Sequence, residues 1–221
     1  MIVQQPAHIT PSHKRKIAKN NGYTCCSSIY KLTKMPLCLS DYVLAVDDEI
    51  YAPTFKKEYS SEEDVLVVLM PLVGSLQLVV KNKEVALHPE DIRCFTLQKG
   101  DSFIIKNNHP EHTLNFLQIR LRTKASLIQK DIESGLINAL SAVLKSDECS
   151  MYFGVFNARK KAHLTMNSNT IGCYVFLING AFEVEDRLVE SRDALWLRNT
   201  KQLELEALSE NGIVLLLKFN E

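Results

Sequence analysis

Short stretches of β-forming residues, separated by turn residues at nearly regular intervals, fill the chain from about residue 40 to its end. Val, Leu, Ile, Phe and Tyr build these stretches, and Gly, Pro, Asn or Asp interrupts them about every eight to twelve residues. Gln202–Ala207 alternates between polar and apolar residues, as expected of a strand with one buried face. Residues 174–178 are apolar throughout, which is typical of a strand covered on both faces. This spacing predicts an all-β fold built as sandwiches or barrels.

The same order of elements occurs twice along the chain. Gly74 precedes a strand and then an acidic turn that closes on Asp91, and Gly180 and Asp193 mark the same points in the second half. Each Gly stands where a tight turn with positive φ would join two strands. Chance recurrence of short β segments is the alternative, but the matched order favours an internal duplication, and therefore two similar domains.

Residues 126–145, between the two halves, have apolar side chains at three- and four-residue intervals, a spacing typical of an amphipathic helix. Gly135 opposes a helix by about 1 kcal/mol relative to Ala. We interpret this segment as the connector and leave open whether it is helical or extended.

Charge and hydropathy exclude several classes of function. The chain has 26 Lys and Arg against 26 Asp and Glu residues, so it lacks the positive charge on which nucleic-acid binding usually depends. Pro71 interrupts the longest apolar run, which is about half the ~20 residues that span a membrane. The N-terminus has no apolar signal segment, and the cysteines form no CxxC motif. We therefore predict a cytoplasmic protein with reduced thiols that binds neither nucleic acid nor membranes.

Several short motifs resemble the cupin β-barrel and, in their order, the pirin family of two-cupin proteins. Residues 178–184 and 204–209 carry the most specific match, and residues 44–48, 71–74 and 115–119 also fit. The resemblance implies a tandem cupin with two antiparallel barrels. Its N-terminal barrel would span residues 1–122, with residues 1–40 as an arm, its connector residues 123–149 and its C-terminal barrel residues 150–221.

The resemblance also implies a metal site that this sequence does not reproduce. The resemblance implies a His-x-His before the first Gly turn, a Glu on that same strand and a His-x-Glu after the acidic turn, a ligand set typical of non-haem metals. The corresponding residues, 59–66 and 96–105, contain no histidine. We therefore predict no metal ligands and no cofactor, with Fe or another divalent metal as the alternative. The residues expected to line the interior of the N-terminal barrel, as a ligand pocket or a filled core, are Ser60, Glu62, Phe103 and Ile105.

Two other clusters have a chemical and a structural interpretation. His109 and His112 flank a Glu as metal ligands can, but Pro110 and two preceding asparagines indicate a hairpin tip. Adjacent Cys25 and Cys26 suggest a redox pair, but a vicinal disulfide is strained, so we interpret both as free thiols.

The function predicted from the sequence is that of a metal-free, catalytically silent pirin-like protein that binds a small molecule or regulates another protein. One alternative is a metal-dependent dioxygenase of the quercetinase type, with Glu62, His109 and His112 as ligands from loops. A third, a protein-interaction modulator, follows from fold analogy. Nucleophile-elbow, P-loop and dinucleotide-binding motifs are absent, so the chain carries no signature of those enzyme classes.

Overall fold

The computed structural model describes residues 7–29, 39–89, 91–122, 137–199 and 201–221. The chain divides into two compact units, one of residues 15–124 and the other of residues 1–14 and 125–221. Almost all regular structure is antiparallel β-sheet, which confirms the predicted all-β tandem cupin. Within the described residues, no helix is long and apolar enough to cross a membrane.

The unit of residues 15–124, called here the N-terminal barrel, has a six-stranded and a four-stranded sheet among its described residues. Side chains from both sheets, such as Phe116 and Phe103, meet in one buried apolar cluster, because strand alternation turns every second residue inward. The short helix α1 (Leu39–Tyr42) leads into the third strand of this unit. The chain begins with β1 (Ala7–Thr10), which belongs to the other unit, and the strands of the N-terminal barrel are β2 (Lys16–Asn20), β3 (Tyr23–Ser27), β4 (Val43–Tyr51), β5 (Lys56–Ser60), β6 (Val65–Val73), β7 (Leu76–Val80), β8 (Lys83–Leu87), β9 (Arg93–Leu97), β10 (Ser102–Lys106) and β11 (Leu114–Leu121).

The second unit, called here the C-terminal barrel, has the same two kinds of sheet and its own buried cluster, which includes Phe156 and Phe182. Its strands after β1 are β12 (Ser141–Lys145), β13 (Cys149–Phe156), β14 (Lys161–Thr165), β15 (Thr170–Asn179), β16 (Ala181–Val184), β17 (Leu188–Glu190), β18 (Ala194–Arg198), β19 (Gln202–Ala207) and β20 (Gly212–Asn220).

The two barrels share one topology. The N-terminal sheets have the orders β2-β3-β4-β11-β6-β9 and β5-β10-β7-β8, and the C-terminal sheets have β12-β13-β20-β15-β18-β1 and β14-β19-β16-β17. Gly74 and Gly180 both adopt positive φ, at 76° and 84°. Asp91 and Asp193 close matching turns, since each carboxylate accepts a hydrogen bond from the backbone N–H three residues earlier. The two units therefore repeat the same arrangement of strands, as the repeated order of elements in the sequence indicates.

The division of the chain differs from the predicted boundaries at two places. β1 pairs with β18, which places His8 opposite Trp196 and assigns the first strand to the C-terminal barrel. β12 pairs with β13, so the end of the predicted connector is already a strand of that barrel, and its last residues are extended rather than helical. Residues 126–136 lie outside the described residues. Local periodicity could not reveal these pairings, because the partner of β1 lies at the other end of the chain.

Candidate functional site

The N-terminal barrel encloses a cluster of polar and ionisable side chains that starts on β3 and β4. Cys25 pairs with Glu49 in the register of these strands, and Tyr23 pairs with Tyr51. Alternation along β4 turns Asp47 to the same side as Glu49 and Tyr51. Asp47, Glu49 and Tyr51 are all buried, so one wall of this barrel is lined by two carboxyl groups, a thiol and two phenols.

The strands β5 and β10 of the other sheet bring four more side chains to this interior. Lys57 lies opposite Ile105 in the pairing of these strands, and Tyr59 lies opposite Phe103. Tyr59, Phe103 and Ile105 are buried and Lys57 is half-buried. The ring of Tyr59 stacks on that of Phe103, with centroids 4.9 Å apart.

Hydrogen bonds join the two walls through Glu49. The Tyr59 hydroxyl donates to Glu49 Oε2 and lies 2.5 Å from the hydroxyl of Tyr51. Gln118 Nε2, from β11, donates to Glu49 Oε1 over 3.1 Å. Glu49 is 1% exposed. Both of its oxygens therefore have a donor, as a buried carboxyl group requires.

The amide of Gln118 is only half satisfied. Gln118 is 0% exposed and lies opposite Asp47 in the pairing of β11 with β4. Its Oε1 atom accepts no hydrogen bond from any described residue. A buried amide oxygen without a donor is costly, so this atom is a candidate acceptor or ligand atom at the cluster.

Burial dominates the protonation behaviour of the cluster. It raises the pKa of Glu49 to about 7 and that of the Cys25 thiol to about 12. Burial also raises the pKa of Asp47 and of the Tyr59 phenol. Desolvation favours the neutral form of an acid, which explains the common direction.

Two cations oppose the two carboxylates. Lys57 Nζ donates to the Tyr23 hydroxyl over 2.7 Å, and Arg120 Nη2 lies 3.6 Å from Asp47 Oδ2. The positive charges of Arg120 and Lys57 act to lower the pKa of Asp47, and that of Lys57 acts to lower the pKa of Glu49, but burial outweighs both effects. Cys25 Sγ and carboxylate oxygens of Asp47 and Glu49 lie within 4.8 Å of one another, the single group of three metal-ligating side chains found among the described residues.

The C-terminal barrel lacks this cluster at the equivalent positions. Ala162 and Leu164 of β14 stand opposite Leu205 and Leu203 of β19, as Lys57 and Tyr59 stand opposite Ile105 and Phe103. Leu216 occupies the place of Gln118. Each pairs with the residue that stands five positions before the turn glycine of its barrel, which is Gly74 for Gln118 and Gly180 for Leu216. The fold therefore accepts apolar side chains at these three positions.

The sequence predicted only part of this interior. Phe103 and Ile105 are buried as expected, whereas Ser60 and Glu62 are exposed. The predicted register was wrong on β5, where the inward residues are Lys57 and Tyr59. A signal was available in β4, where the three consecutive acidic residues Asp47, Asp48 and Glu49 interrupt a strand that is otherwise mostly apolar. The cluster residues that sequence reasoning missed as site residues are Tyr23, Cys25, Asp47, Glu49, Tyr51, Lys57, Tyr59 and Gln118.

His109 and His112 lie in the turn between β10 and β11, which agrees with the hairpin-tip interpretation. Their ring centroids are 4.2 Å apart, and His109 Nδ1 accepts hydrogen bonds from the backbone N–H groups of Glu111 and His112. Both line an open surface cavity of about 530 Å³. Among the described residues, no third metal-ligating side chain, Glu62 included, joins them.

Cys25 and Cys26 point to opposite faces of β3. Cys25 is buried in the barrel and Cys26 is half-buried on the other side. Both are free thiols, as predicted from the sequence.

Comparisons with known proteins support the fold, and one family model matches part of the chain. The family model for the quercetinase C-terminal cupin domain matches residues 142–218. No curated protein sequence matches the chain significantly.

Solved structures resemble the chain over almost its whole length. The bacterial pirin YhhW from Escherichia coli, in complex with nickel(II), has a TM-score of 0.80 at 9% identity and covers 97% of this chain and 99% of its own. The protein YhaK from Escherichia coli has a TM-score of 0.69 at 15% identity, with 95% of each chain covered. Quercetin 2,3-dioxygenase from Acinetobacter baumannii has a TM-score of 0.70 at 12% identity and covers 98% of this chain and 86% of its own. At these identities the likeness establishes the fold.

Proposed function

We propose that this chain, which has the fold of bacterial pirins and matches the quercetinase C-terminal cupin model over residues 142–218, is a binding or regulatory pirin-like protein whose N-terminal barrel works without metal-dependent oxygen chemistry. Its partner is a small molecule or another protein. The proposal follows from the side chains that line this barrel, since a fold by itself does not specify a reaction.

One observation carries the proposal. In the family's metal site, His-x-His and His-x-Glu place alternate side chains on the inner face of two strands. On the inner faces of β5 and β10, this chain instead has Lys57 with Tyr59 and Phe103 with Ile105. An ammonium group and two hydrocarbon side chains cannot coordinate a cation, and the Tyr59 hydroxyl is bound to Glu49. These residues do not fit the family's metal.

The polar cluster supports the N-terminal barrel as the functional centre. Buried carboxyl groups, phenols and an amide reduce stability unless each is paired. The C-terminal barrel has Ala162, Leu164 and Leu216 at the places of Lys57, Tyr59 and Gln118. The polar interior is therefore a property of this barrel and not of the fold.

Oxygen uptake tests the proposal directly. Purified protein is incubated with the flavonol quercetin and, in turn, with Ni²⁺, Fe²⁺, Zn²⁺ or Cu²⁺, with an authentic quercetin 2,3-dioxygenase as the positive control. We expect no uptake above that of the metal alone, because the barrel offers no open metal position for oxygen or substrate.

A variant at the hairpin tip separates this result from the dioxygenase alternative. Metal-dependent oxygen uptake that is lost in the His109→Ala/His112→Ala double variant would revive the alternative site and refute the proposal. The same double variant should otherwise keep the fold, since both histidines lie in a turn.

A further inference from the structure

We propose that the N-terminal barrel binds a small hydroxycarboxylate anion, held by Arg93, Arg120 and Gln118 on the inner face of its six-stranded sheet. This inference deepens the proposed binding function and rests on it. In each of the three side chains, one buried polar atom has no hydrogen-bond partner among the described residues. These atoms are Nε of Arg93, Nε of Arg120 and Oε1 of Gln118.

The register of β9, β6 and β11 places the three side chains on one face of the sheet. Arg93 pairs with Leu69, which pairs in turn with Gln118, and Arg120 pairs with Val67. Residues that pair directly across an antiparallel ladder point to the same side of the sheet. Leu69 and Val67 both belong to the buried core of this barrel. The three polar side chains therefore face the barrel interior.

Arg93 is a positive charge without a counter-ion in the described part of the chain. Arg120 Nη2 lies 3.6 Å from Asp47 Oδ2, so that guanidinium group has a carboxylate neighbour. Arg93 forms no ion pair with any described carboxylate, and its Nε–H finds no described acceptor. A buried donor without an acceptor is costly, so the site favours an anion. A carboxylate fits best, because a guanidinium group offers it two parallel N–H donors.

Gln118 requires a hydrogen-bond donor on the same ligand. Gln118 is 0% exposed, and its Nε2 atom donates to Glu49 Oε1 over 3.1 Å. Its Oε1 atom therefore remains available to accept. A carboxylate cannot donate a hydrogen bond, but a hydroxyl group can. Guanidinium donors together with an amide acceptor thus match a molecule that carries both a carboxylate and a hydroxyl group.

Strand spacing limits the size of this molecule. Arg93 and Gln118 pair with Leu69 from its two sides, so their backbones lie about 10 Å apart, which is two strand spacings. The two side chains cover part of that interval, so an acid of a few carbon atoms can reach both. Arg93 is half-buried and the Arg120 side chain is 35% exposed, which gives solvent and small solutes access to this part of the interior.

The C-terminal barrel has apolar residues in the corresponding row. Val175 pairs with Leu195 on one side and with Leu216 on the other. Leu195 and Leu216 stand at the places of Arg93 and Gln118 in the N-terminal row. All three apolar residues are buried in the core of their barrel. The fold thus accepts an entirely apolar row, and the polar row is a property of the N-terminal barrel.

Isothermal titration calorimetry of wild-type protein with sodium lactate tests the inference. Lactate carries a carboxylate beside a hydroxyl group, propionate lacks the hydroxyl group, and lactamide lacks the charge. We expect lactate to bind at one site per chain. Propionate and lactamide should each bind about tenfold more weakly, because each leaves one of the buried groups without its partner. Sodium chloride at the same ionic strength should give no heat of binding.

Two substitutions separate the two recognition groups. Arg93→Gln removes the charge and should abolish lactate binding. Gln118→Leu introduces the residue found in the C-terminal barrel, and it should equalise the affinities for lactate and propionate while propionate still binds. Arg198→Gln is the matched control, because Arg198 also has a buried Nε atom without a described partner but belongs to the C-terminal barrel. This control should bind lactate as wild-type protein does.

Absence of lactate binding to wild-type protein would overturn the inference and indicate that water alone satisfies the three atoms. Undiminished binding by Arg93→Gln would also overturn it, as would equal affinities of wild-type protein for lactate and propionate. The comparison of the two analogues uses wild-type protein, so it decides the question even if Gln118→Leu does not fold. Metal-dependent oxygen uptake with quercetin would instead defeat the proposed function.

Discussion

Glu49 is the centre of the hydrogen-bond network inside the N-terminal barrel. Tyr59 and Gln118 each donate a hydrogen bond to one of its oxygens. Burial at 1% exposure nevertheless favours the protonated carboxyl group and raises its pKa from 4.5 to about 7. The protonation state of Glu49, inside the barrel, therefore changes near neutral pH.

Glu49→Gln should make stability less dependent on pH. Because the folded-state pKa is raised, the native state holds the proton more tightly than the unfolded chain, so the Glu49 contribution to the unfolding free energy falls as pH rises from 4.5 to about 7. The wild-type unfolding free energy should fall by about 3 kcal/mol over that window through Glu49, and the variant should lack this decrease. Urea unfolding at several pH values measures it.

The exposed Glu62 gives the matched control, because Glu62→Gln should leave the pH profile unchanged. Parallel profiles for wild-type protein and Glu49→Gln would contradict the assigned role of Glu49.

Tyr59→Phe should lower stability more than Tyr51→Phe. The Tyr59 hydroxyl is hydrogen-bonded to both Glu49 and Tyr51, whereas the Tyr51 hydroxyl is hydrogen-bonded to Tyr59. Loss of the Tyr51 hydroxyl therefore leaves Glu49 with its donor. Loss of a donor to a buried carboxyl group costs about 1–3 kcal/mol. Chemical denaturation of the two variants gives the comparison, and equal losses would contradict this hydrogen-bond arrangement.

At the scale of the element, strand alternation decides which chemistry each strand contributes. β4 directs two carboxyl groups inward and β5 directs Lys57 and Tyr59 inward, although their immediate neighbours face elsewhere. A shift of one residue exchanges the two faces of a strand. For this reason the predicted pocket residue Ser60 is exposed, while its neighbour Tyr59 is buried.

Thiol labelling checks the alternation of β3. Cys25 is buried in the barrel and Cys26 is half-buried on the opposite face. Iodoacetamide followed by peptide mass spectrometry should modify Cys26 first in the native protein and both thiols after denaturation. A native Cys25–Cys26 disulfide, or equal labelling rates, would contradict the strand register.

At the scale of the whole molecule, the duplicated barrels differ in how their edges are completed. β2 extends one sheet of the N-terminal barrel beside β3, whereas β1 extends the C-terminal barrel beside β18. The backbone N–H of Ser12 also donates to Asp193 Oδ1 over 2.6 Å, which attaches the residues after β1 to the acidic turn. The start of the chain thus stabilises its second barrel.

Deletion of residues 1–12 should destabilise the C-terminal barrel. It leaves the β18 edge without its partner and removes the contact to Asp193. Trp196, the sole tryptophan of the chain, lies on β18 and reports this barrel by fluorescence. We expect a lower unfolding midpoint by tryptophan fluorescence.

Two further measurements serve as controls for the deletion. Protection of the Cys25 thiol, which reports the N-terminal barrel, should persist in the truncated protein. Lys19→Ala, on the exposed strand β2, should leave the fluorescence midpoint unchanged. An unchanged midpoint after deletion would contradict the pairing of β1 with β18.

The amino-acid sequence by itself determined the class of fold, the duplication and the turns at Gly74 and Gly180, because alternation and turn preference are local properties. It also determined that no histidine stands in residues 59–66 or 96–105. Only the tertiary structure decided that β1 belongs to the second barrel and that Lys57 of β5 contacts Tyr23 of β3. Those groupings depend on strand register and on pairing between distant segments, which local periodicity does not encode.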